Sequence, residues 1–481
     1  MKKALFALSA SLLAVSLFGE ETSKTKPPLE EKISGHELVV GAAKRKKEAS
    51  RYLTTTPFIY DKHLSPYVGA SNLITTHRFL EKSEDYLLRR ATAKSSESIL
   101  AGFARILDLS LVWAPINAVS YLTQRQVFGL GYRQRELRGI SSSHFHFKLK
   151  VPPYASHGNV GVKMKGSMPT SDVVTYYTAG TESTSIMTDQ MKMEWLQSGK
   201  IDGRQGSLYS LSALDLIGTA SMARGELSNS PTNQLYTNEV SGYIYYMNQL
   251  YPRSIINQKT IAKQSLVALI DPFLWYSAYA ELFYVVKGEP VDMPMIPFFG
   301  GAKFLPSAKL GLTPYGPEYY AQTFWRTNDG NPIYLYYKWG SLSGAHHRGA
   351  GIQAPYIFNS DETSIGFTFD WFHQFKAGAN DISLSDSSNP NYWTNQRVAN
   401  TRYYFDYNTF TWQQQITYTS QIIDEKKFYD GFAATLIGTQ KISGVPGTSL
   451  YAQLGYKTKG YVPGESYKNG LIARGGLAFT F

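Results

Sequence analysis

Basic side chains recur at every second position of one short segment, SHFHFKLKV, which starts at Ser143. The segment NVGVKMKG follows after PPYASHG and repeats the pattern. Side chains alternate between the two faces of a β-strand, so the two segments predict a hairpin with one basic face. The residues on that face are His144, His146, Lys148, Lys150, Lys163 and Lys165. Rings of lysine in a pore favour anions, so the chemistry indicated is anion attraction.

Two environments would suit this basic face. A Lys side chain that faces lipid near the bilayer midplane costs about 2–4 kcal/mol, so in a membrane barrel these residues must point into the lumen. In a soluble protein the same face would be solvated. Lys457 and Arg474, on two C-terminal segments, extend the basic lumen face in the barrel interpretation.

Catalytic motifs are absent from the sequence. It contains no G-x-S-x-G, no H-E-x-x-H and no P-loop, and GSLSG at Gly340 has Leu342 where a nucleophile elbow needs serine. Without cysteine there is no thiol nucleophile and no thiolate metal site. The adjacent His346 and His347 are predicted to lie in a solvated loop. We therefore expect a protein that is not an enzyme and that has no cofactor and no metal.

The N-terminus has the pattern of an export signal. Lys2 and Lys3 precede an apolar run from Ala4 to Phe18, with small residues for cleavage at Ser16 and Gly19. A retained anchor is the alternative, but the run is shorter than the ~20 residues of a membrane helix. No cysteine follows, so a lipoprotein signal is excluded. Residues 1–19 are predicted to be a signal peptide, and the chain is expected to leave the cytoplasm.

The overall composition favours strands over helices as membrane segments. Aromatic residues make up 14% of the chain and the mean hydropathy is -0.26. After the signal there is no uninterrupted apolar run of helical span length, because Arg105, Asp108 and Pro115 interrupt the most apolar stretch, Ile99 to Leu122. A β-barrel spreads its apolar surface over alternate residues, so average hydropathy does not reveal it.

The C-terminal third alternates apolar and polar residues throughout. NPIYLYYKWG, SIGFTFDWFHQF, TFTWQQQITYTSQI and SLYAQLGYKTKG all show this pattern. The chain ends on GGLAFTF, where Leu477, Phe479 and Phe481 share one face, and we interpret these residues as a C-terminal signature for barrel assembly. Short connections rich in Gly, Pro, Asn and Asp alternate with mostly longer polar ones, as in a bacterial barrel. The short ones are Thr327–Asn331, Asn359–Thr363, Asp406–Asn408 and Ser443–Gly447.

Five weaker strand candidates lie upstream, and they set the predicted strand count. They are residues 172–180, 185–197, 206–218, 239–250 and 274–286. With the hairpin and the C-terminal strands they predict an all-β transmembrane protein, an antiparallel outer-membrane barrel of about 16–18 strands over residues 141–481. A barrel of this size encloses an aqueous channel.

Two segments do not fit a plain barrel. The Pro- and Gly-rich stretch between residues 287 and 316 is predicted to be a long external loop, which either folds into the channel as a constriction or caps its neighbours. Lys303 and Lys309 are the constriction candidates. Residues 20–140 are predicted to be partly helical, because Leu87, Leu88 and Ile99 belong to a series of apolar residues at helical spacing. A plug and a periplasmic domain are both compatible with that segment.

The whole organisation resembles a known family. The signal peptide, the absence of cysteine, the tyrosine-rich strands, the block GLTPYGPEYYAQTFW (Gly311 to Trp325) and the terminal phenylalanine resemble the Hof family of Helicobacter outer membrane proteins. The resemblance implies a porin-type barrel in the bacterial outer membrane. It supplies no functional residues.

These features predict a porin, a diffusion channel for small hydrophilic solutes. The net charge of +11 and the basic lumen face suggest a preference for anions. The alternative is an adhesin or interaction protein that displays the loop Lys376 to Gln396 on a barrel, with Tyr392 and Trp393 as contact residues. Expected partners are outer-membrane lipid, the barrel-assembly machinery and solutes, without nucleic acid. Trimers are common among barrels of this size, so a homotrimer is considered, although the sequence shows no subunit interface.

Overall fold

The computed structural model describes residues 54–91, 99–137, 140–148, 157–164, 167–223, 238–251, 256–342, 345–360, 362–375, 381–383, 400–406, 411–417 and 428–481. Only the backbone is described in the short strands within 140–170, 381–383 and 400–417. The predicted signal peptide lies outside the described residues, as do Lys150, Lys165 and most of the loop 376–396.

A large antiparallel sheet forms the C-terminal part of the chain. Its strands are β1 (Thr55–Tyr60), β7 (Ile296–Pro297), β8 (Lys303–Thr313), β9 (Gly316–Arg326), β10 (Pro332–Leu342), β11 (Ala345–Asn359), β12 (Thr363–Phe375), β16 (Phe428–Lys441), β17 (Thr448–Lys457) and β18 (Gly470–Thr480). The ten strands are ordered β1-β18-β17-β16-β12-β11-β10-β9-β8-β7. The sheet is open, because its edge strands β1 and β7 do not pair with each other.

The remaining strands form four separate pairs. β2 (Ile140–Lys148) pairs with β3 (His157–Met164), which confirms the predicted hairpin. β14 (Asn400–Asp406) pairs with β15 (Thr411–Thr417). Because β12 pairs directly with β16, this second hairpin does not belong to the large sheet, contrary to the prediction. The other pairs are β4 (Ser167–Pro169) with β13 (Asp381–Ser383), and β5 (Lys200–Ile201) with β6 (Val291–Asp292).

Helices precede the sheet in the chain. They are α1 (Pro66–Ala91), α2 (Ile99–Glu136), α3 (Thr170–Ser198), α4 (Gly206–Ala213), α5 (Asp215–Met222), α6 (Glu239–Leu250), α7 (Gln258–Ser265) and α8 (Pro272–Lys287). The helix α3, called the central helix below, packs against β8, β9 and β10, and also against α1, α2 and α6. It therefore lies between the sheet and the other helices.

The five upstream strand predictions are wrong, since all five segments are helical. Residues 172–180 and 185–197 belong to the central helix, and the other three lie in α4 and α5, in α6 and in α8. The central helix is buried on every side, so its sequence lacks the one-sided apolar stripe of a surface helix. Its many Thr, Val and Tyr residues favour strands locally, and tertiary packing overrides that preference.

The barrel prediction of about 16–18 strands therefore holds only as a large antiparallel sheet combined with helices. Helical structure extends past the predicted boundary at residue 140, as far as Lys287. At one edge of the sheet, α1 replaces a further strand. The side-chain amide of Asn72 accepts a hydrogen bond from the Ile59 N–H (2.7 Å) and donates one to the Ile59 carbonyl (2.9 Å). A helix thus satisfies backbone groups that an edge strand would leave unpaired.

Two further sequence expectations are corrected. The predicted loop between residues 287 and 316 is a strand from Lys303 onward, and the connection at GSLSGAHHR consists mostly of β10 and β11. Ile99–Glu136 is one long helix despite Pro115, because a π-helical turn, Leu109–Trp113, ends two residues before the proline. Such a turn rearranges the local hydrogen bonds that a proline would otherwise break.

Candidate functional site

The two faces of the large sheet differ in polarity. Apolar side chains are exposed on one face and many polar ones are buried on the other, whereas a sheet in a soluble protein buries its apolar face. The outer face exposes apolar side chains to a large degree, among them Tyr337, Trp339, Ile365, Phe369, Leu436, Leu450, Leu454 and Leu471. The inner face, which contacts the central helix, buries polar ones, among them Ser307, Glu318, Gln322, Lys338, Asp370, Gln374, Thr435, Gln453, Lys457 and Arg474. The buried space between the inner face and the central helix is the candidate functional site.

Charged side chains of the central helix pair across this interior. Lys309 Nζ, on β8, donates to Asp189 Oδ2 at 2.5 Å and to Ser185 Oγ at 2.7 Å. Lys192 Nζ lies 2.9 Å from Asp271 Oδ2 and donates to Ser307 Oγ at 2.9 Å. These pairs fix the rotation of the helix against the sheet. In both pairs the charge on one side chain is compensated by the charge on the other, which lowers the cost of burying them.

A second buried cluster joins three neighbouring strands. Glu318 on β9 lies 3.4 Å from Lys338 Nζ on β10 and 3.2 Å from His347 Nε2 on β11. The Tyr320 hydroxyl donates to Glu318 at 3.1 Å. His347 is 1% exposed, so the expectation of a solvated His346–His347 loop is wrong for His347. No sequence pattern indicates Glu318 as the partner of His347.

Lys457 and Arg474 lie on the inner face of the sheet. The alternation of apolar and polar residues along their strands predicts this orientation. Arg474 donates to Glu465 Oε1 at 2.5 Å and to Gln453 Oε1 at 3.2 Å, and its Nε lies 3.4 Å from Asp61 Oδ2. Lys457 Nζ donates to the carbonyl oxygens of Gly460 (2.5 Å) and Thr458 (3.0 Å). Both residues are bound by other protein groups. Their selectivity role stays a prediction.

The other predicted site residues do not gather in one place. His144, His146, Lys148 and Lys163 lie on the β2–β3 hairpin, where His144 pairs with Gly161 and Lys148 with His157. This hairpin is not part of the large sheet. Of the two constriction candidates, Lys303 is exposed at the start of β8, and Lys309 faces the central helix.

The residues of the C-terminal signature, Leu477, Phe479 and Phe481, contact β1 and α1. Strand β18 lies between β1 and β17, with Leu477 opposite Phe58 and Phe479 opposite Thr56. The Phe481 N–H donates to the Thr54 carbonyl at 2.9 Å. The ring of Phe79 on α1 lies 5.0 Å from the Phe479 ring and 4.8 Å from the Phe481 ring. The terminal residues therefore join β1 and α1 to the sheet.

Three tyrosines meet beside the β8–β9 turn. The Tyr315 hydroxyl, in the β8–β9 turn, lies 2.9 Å from the Tyr429 hydroxyl and 3.0 Å from that of Tyr467. Burial raises the pKa of Tyr315 and of Tyr467 well above the usual range of a phenol, and the phenols of Tyr429 and Tyr467 raise the pKa of Tyr315 further. The two hydroxyls therefore stay protonated and hydrogen-bonded at neutral pH.

Comparison with known proteins adds nothing to this geometry. No family model, curated protein or solved structure matches the chain. Within the part of the chain that the structure describes, no three His, Asp or Glu side chains are placed to hold a metal ion.

The interior offers charged and hydrogen-bonding groups that could bind a polar solute. Most of its charges are paired, as in Lys309 with Asp189, Lys192 with Asp271 and Lys338 with Glu318. Among the described residues, Asp370 makes no ion pair within 4 Å, and Lys457 is held by carbonyl oxygens. Asp189 and Lys192, which connect the central helix to its surroundings, were not among the predicted site residues. The sequence of their segment, residues 185–197, predicts a strand. No local pattern in it indicates a helix that lies inside a polar interior.

Proposed function

We propose that the protein is a porin-type protein of the bacterial outer membrane, which passes small hydrophilic solutes between the sheet and the central helix. The observation that supports this most is the reversed polarity of the sheet. Soluble proteins rarely expose apolar patches of this extent, whereas a transmembrane barrel has an apolar band outside and a polar interior. Closure of the sheet into a barrel belongs to this proposal.

The helices beside the sheet support a lipid-facing exterior. Of the described residues, Ile99–Glu136 forms one helix long and apolar enough to cross a membrane, and only 6% of its most apolar window is buried. The bent pair Gln258–Ile270 and Pro272–Lys287 passes the same test as a unit. Since α1 packs on β1, and α7 and α8 contact β8, helices would continue the apolar surface beyond both sheet edges.

The central helix determines how such a passage would work. It occupies the interior along β8, β9 and β10, where an open porin has water. Solute flow would therefore use the remaining space beside the helix, or require the helix to shift. The preference for anions stays a prediction from net charge and from the basic hairpin.

Depth-dependent substitution on the outer face tests the membrane location. Leu436, 67% exposed in the middle of β16, and Leu471, 75% exposed at the start of β18, are both replaced by Arg. In a bilayer we expect Leu436→Arg to lower the unfolding free energy by about 2–4 kcal/mol and Leu471→Arg by about 0–1. Equal, negligible effects in lipid vesicles would indicate a water-exposed face and contradict the proposal.

Single-channel recording of the refolded chain without residues 1–19 in a planar bilayer tests the passage. We expect stepwise currents, with reversal potentials under a salt gradient that give the preferred ion. Replacement of Lys148, Lys150, Lys163 and Lys165 by Glu should shift the preference toward cations if the hairpin lines the path. A protein that inserts but never conducts, and loses host-cell binding when residues 376–396 are deleted, would instead support the adhesin alternative.

A further inference from the structure

A cavity of about 120 Å³ lies between the central helix, β1 and the inner face of the sheet. We call it the inner cavity. The central helix contributes Met193 and Glu194, and the sheet contributes Asp370 and Arg474. Tyr67 from α1 completes one wall. The strands also contribute the apolar Ile437 and Ile472, so the inner cavity has a mixed polar and apolar lining, which suits a small amphipathic solute.

The charged side chains that line this cavity are predominantly acidic, and Lys338 and Lys457, which act on Asp370, are not among them. Its charged lining residues are three carboxylates, Glu194, Asp370 and Glu465, and one guanidinium, that of Arg474. The guanidinium is already neutralised, because Glu465 lies at 2.5 Å and Asp61 at 3.4 Å. It also lies over the Tyr67 ring, 4.9 Å from the ring centre. Arg474 is therefore poorly placed to capture an anion from solution.

Two carboxylates retain capacity for a donor. Asp370 is 8% exposed, accepts a hydrogen bond from the Tyr336 hydroxyl and makes no ion pair within 4 Å among the described residues. Glu194 is 6% exposed and pairs with Arg78 through Oε1, while its Oε2 has no hydrogen-bond partner in the described part of the chain. A buried acceptor without a partner is costly, so a ligand that donates hydrogen bonds would be favoured here.

We propose that the inner cavity is a binding site for small organic cations, with Asp370 as the counter-charge of an ammonium group and Glu194 as a second acceptor. The short alkyl part of the ligand would lie against Met193. The inference rests on the proposed function in treating the cavity as part of the solute path. The ligand proposed for this site is a cation, whereas the net charge of the chain predicts a preference for anions. The two differ because the carboxylates at a site determine which ion that site holds.

Three probes of matched size test this site. Propylammonium, propionate and 1-propanol are titrated calorimetrically into the refolded chain in detergent micelles. Saturable binding of propylammonium alone is expected. Asp370→Asn should weaken it at least tenfold, whereas Asp329→Asn, in the exposed turn after β9, should change it less than twofold. Stronger binding of propionate, or equal propylammonium affinity in the wild type and Asp370→Asn, would overturn the proposal.

Two additional variants separate a lost site from a lost fold. Tyr336→Phe removes the hydrogen bond to Asp370 but keeps the carboxylate, so propylammonium should still bind within threefold of the wild type. Glu194→Gln should weaken binding less than Asp370→Asn. Calorimetry needs no membrane, so its result is independent of channel recordings. If the protein conducts ions but does not bind propylammonium, the cation site is refuted and the proposed channel is not. If it binds propylammonium but does not conduct, the proposed channel is refuted and the cation site is not.

Discussion

Lys309 of β8 and Asp189 of the central helix lie 2.5 Å apart, Nζ to Oδ2, with 15% and 11% of their side chains exposed. Lys309 also donates to Ser185, one helical turn earlier. This pair joins the polar interior of the sheet to the helix that fills it. Its loss should loosen the central helix more than any change on the outer face.

The Lys309–Asp189 pair should show the behaviour of a buried ion pair. We expect Lys309→Ala and Asp189→Ala each to lower the unfolding free energy by about 3–5 kcal/mol, because each leaves one buried charge uncompensated. The double variant should lose less than the sum of the two single variants. Denaturant unfolding in micelles, followed by tryptophan fluorescence, measures the effect. Lys303→Ala, exposed on the same strand, is the control, and single variants no worse than this control would contradict the prediction.

Close packing of α2 on the central helix should depend on Gly129. A Cβ added there would lie 2.6 Å from the backbone carbonyl oxygen of Ala179. We therefore expect Gly129→Ala to destabilise the protein, by about 1–3 kcal/mol as for an overpacked core. Gly218→Ala, in α5, is the matched control, because a Cβ there meets nothing within 4 Å. Its expected effect is stabilisation of up to about 1 kcal/mol from helix propensity. Thermal unfolding measures both, and equal effects would refute the helix contact.

The tyrosine cluster should contribute to stability only while it is protonated. Tyr315→Phe removes both hydroxyl contacts and should cost about 1–2 kcal/mol. Because burial raises the pKa of Tyr315 and Tyr467 above that of a solvent-exposed tyrosine, the native state binds more protons than the unfolded one at alkaline pH. Stability should then be constant from neutral pH to about pH 10 and fall above it. A pH series of denaturant midpoints checks this, and Tyr315→Phe should show a smaller alkaline decrease.

The terminal phenylalanines should affect assembly and stability separately. Phe79→Ala removes the ring that contacts both of them but leaves the C-terminal sequence intact. We expect it to lower the unfolding free energy by up to about 3 kcal/mol, because the rings on both sides lose a partner. Phe481→Ala should also reduce the yield of membrane-inserted protein in cells, if the terminal residues are an assembly signature. Quantification of the inserted fraction and unfolding of purified protein distinguish the two effects, and equal yields for both variants would contradict the signature.

Sequence alternation predicted the C-terminal strands well. Ile333, Leu335, Tyr337 and Trp339 share the outer face of β10 as expected, and Arg474 faces inward on β18. The turns at Thr327–Asn331, Asn359–Thr363 and Ser443–Gly447 also connect strands as predicted. Period-two alternation is a local property, because each strand meets two different environments whatever its neighbours are.

The sequence by itself determined most of the C-terminal strands, their two faces and the absence of catalytic motifs. Only the tertiary structure decided that residues 170–198 form a helix inside the polar interior, that the sheet is open, and that Lys309 and His347 are buried beside carboxylates. In a segment that is buried on all sides, apolar and polar residues do not alternate with the period of a helix or a strand. Its conformation is therefore determined by contacts with residues far away in the sequence. The partner of a buried charge is fixed in the same way, by packing rather than by local pattern.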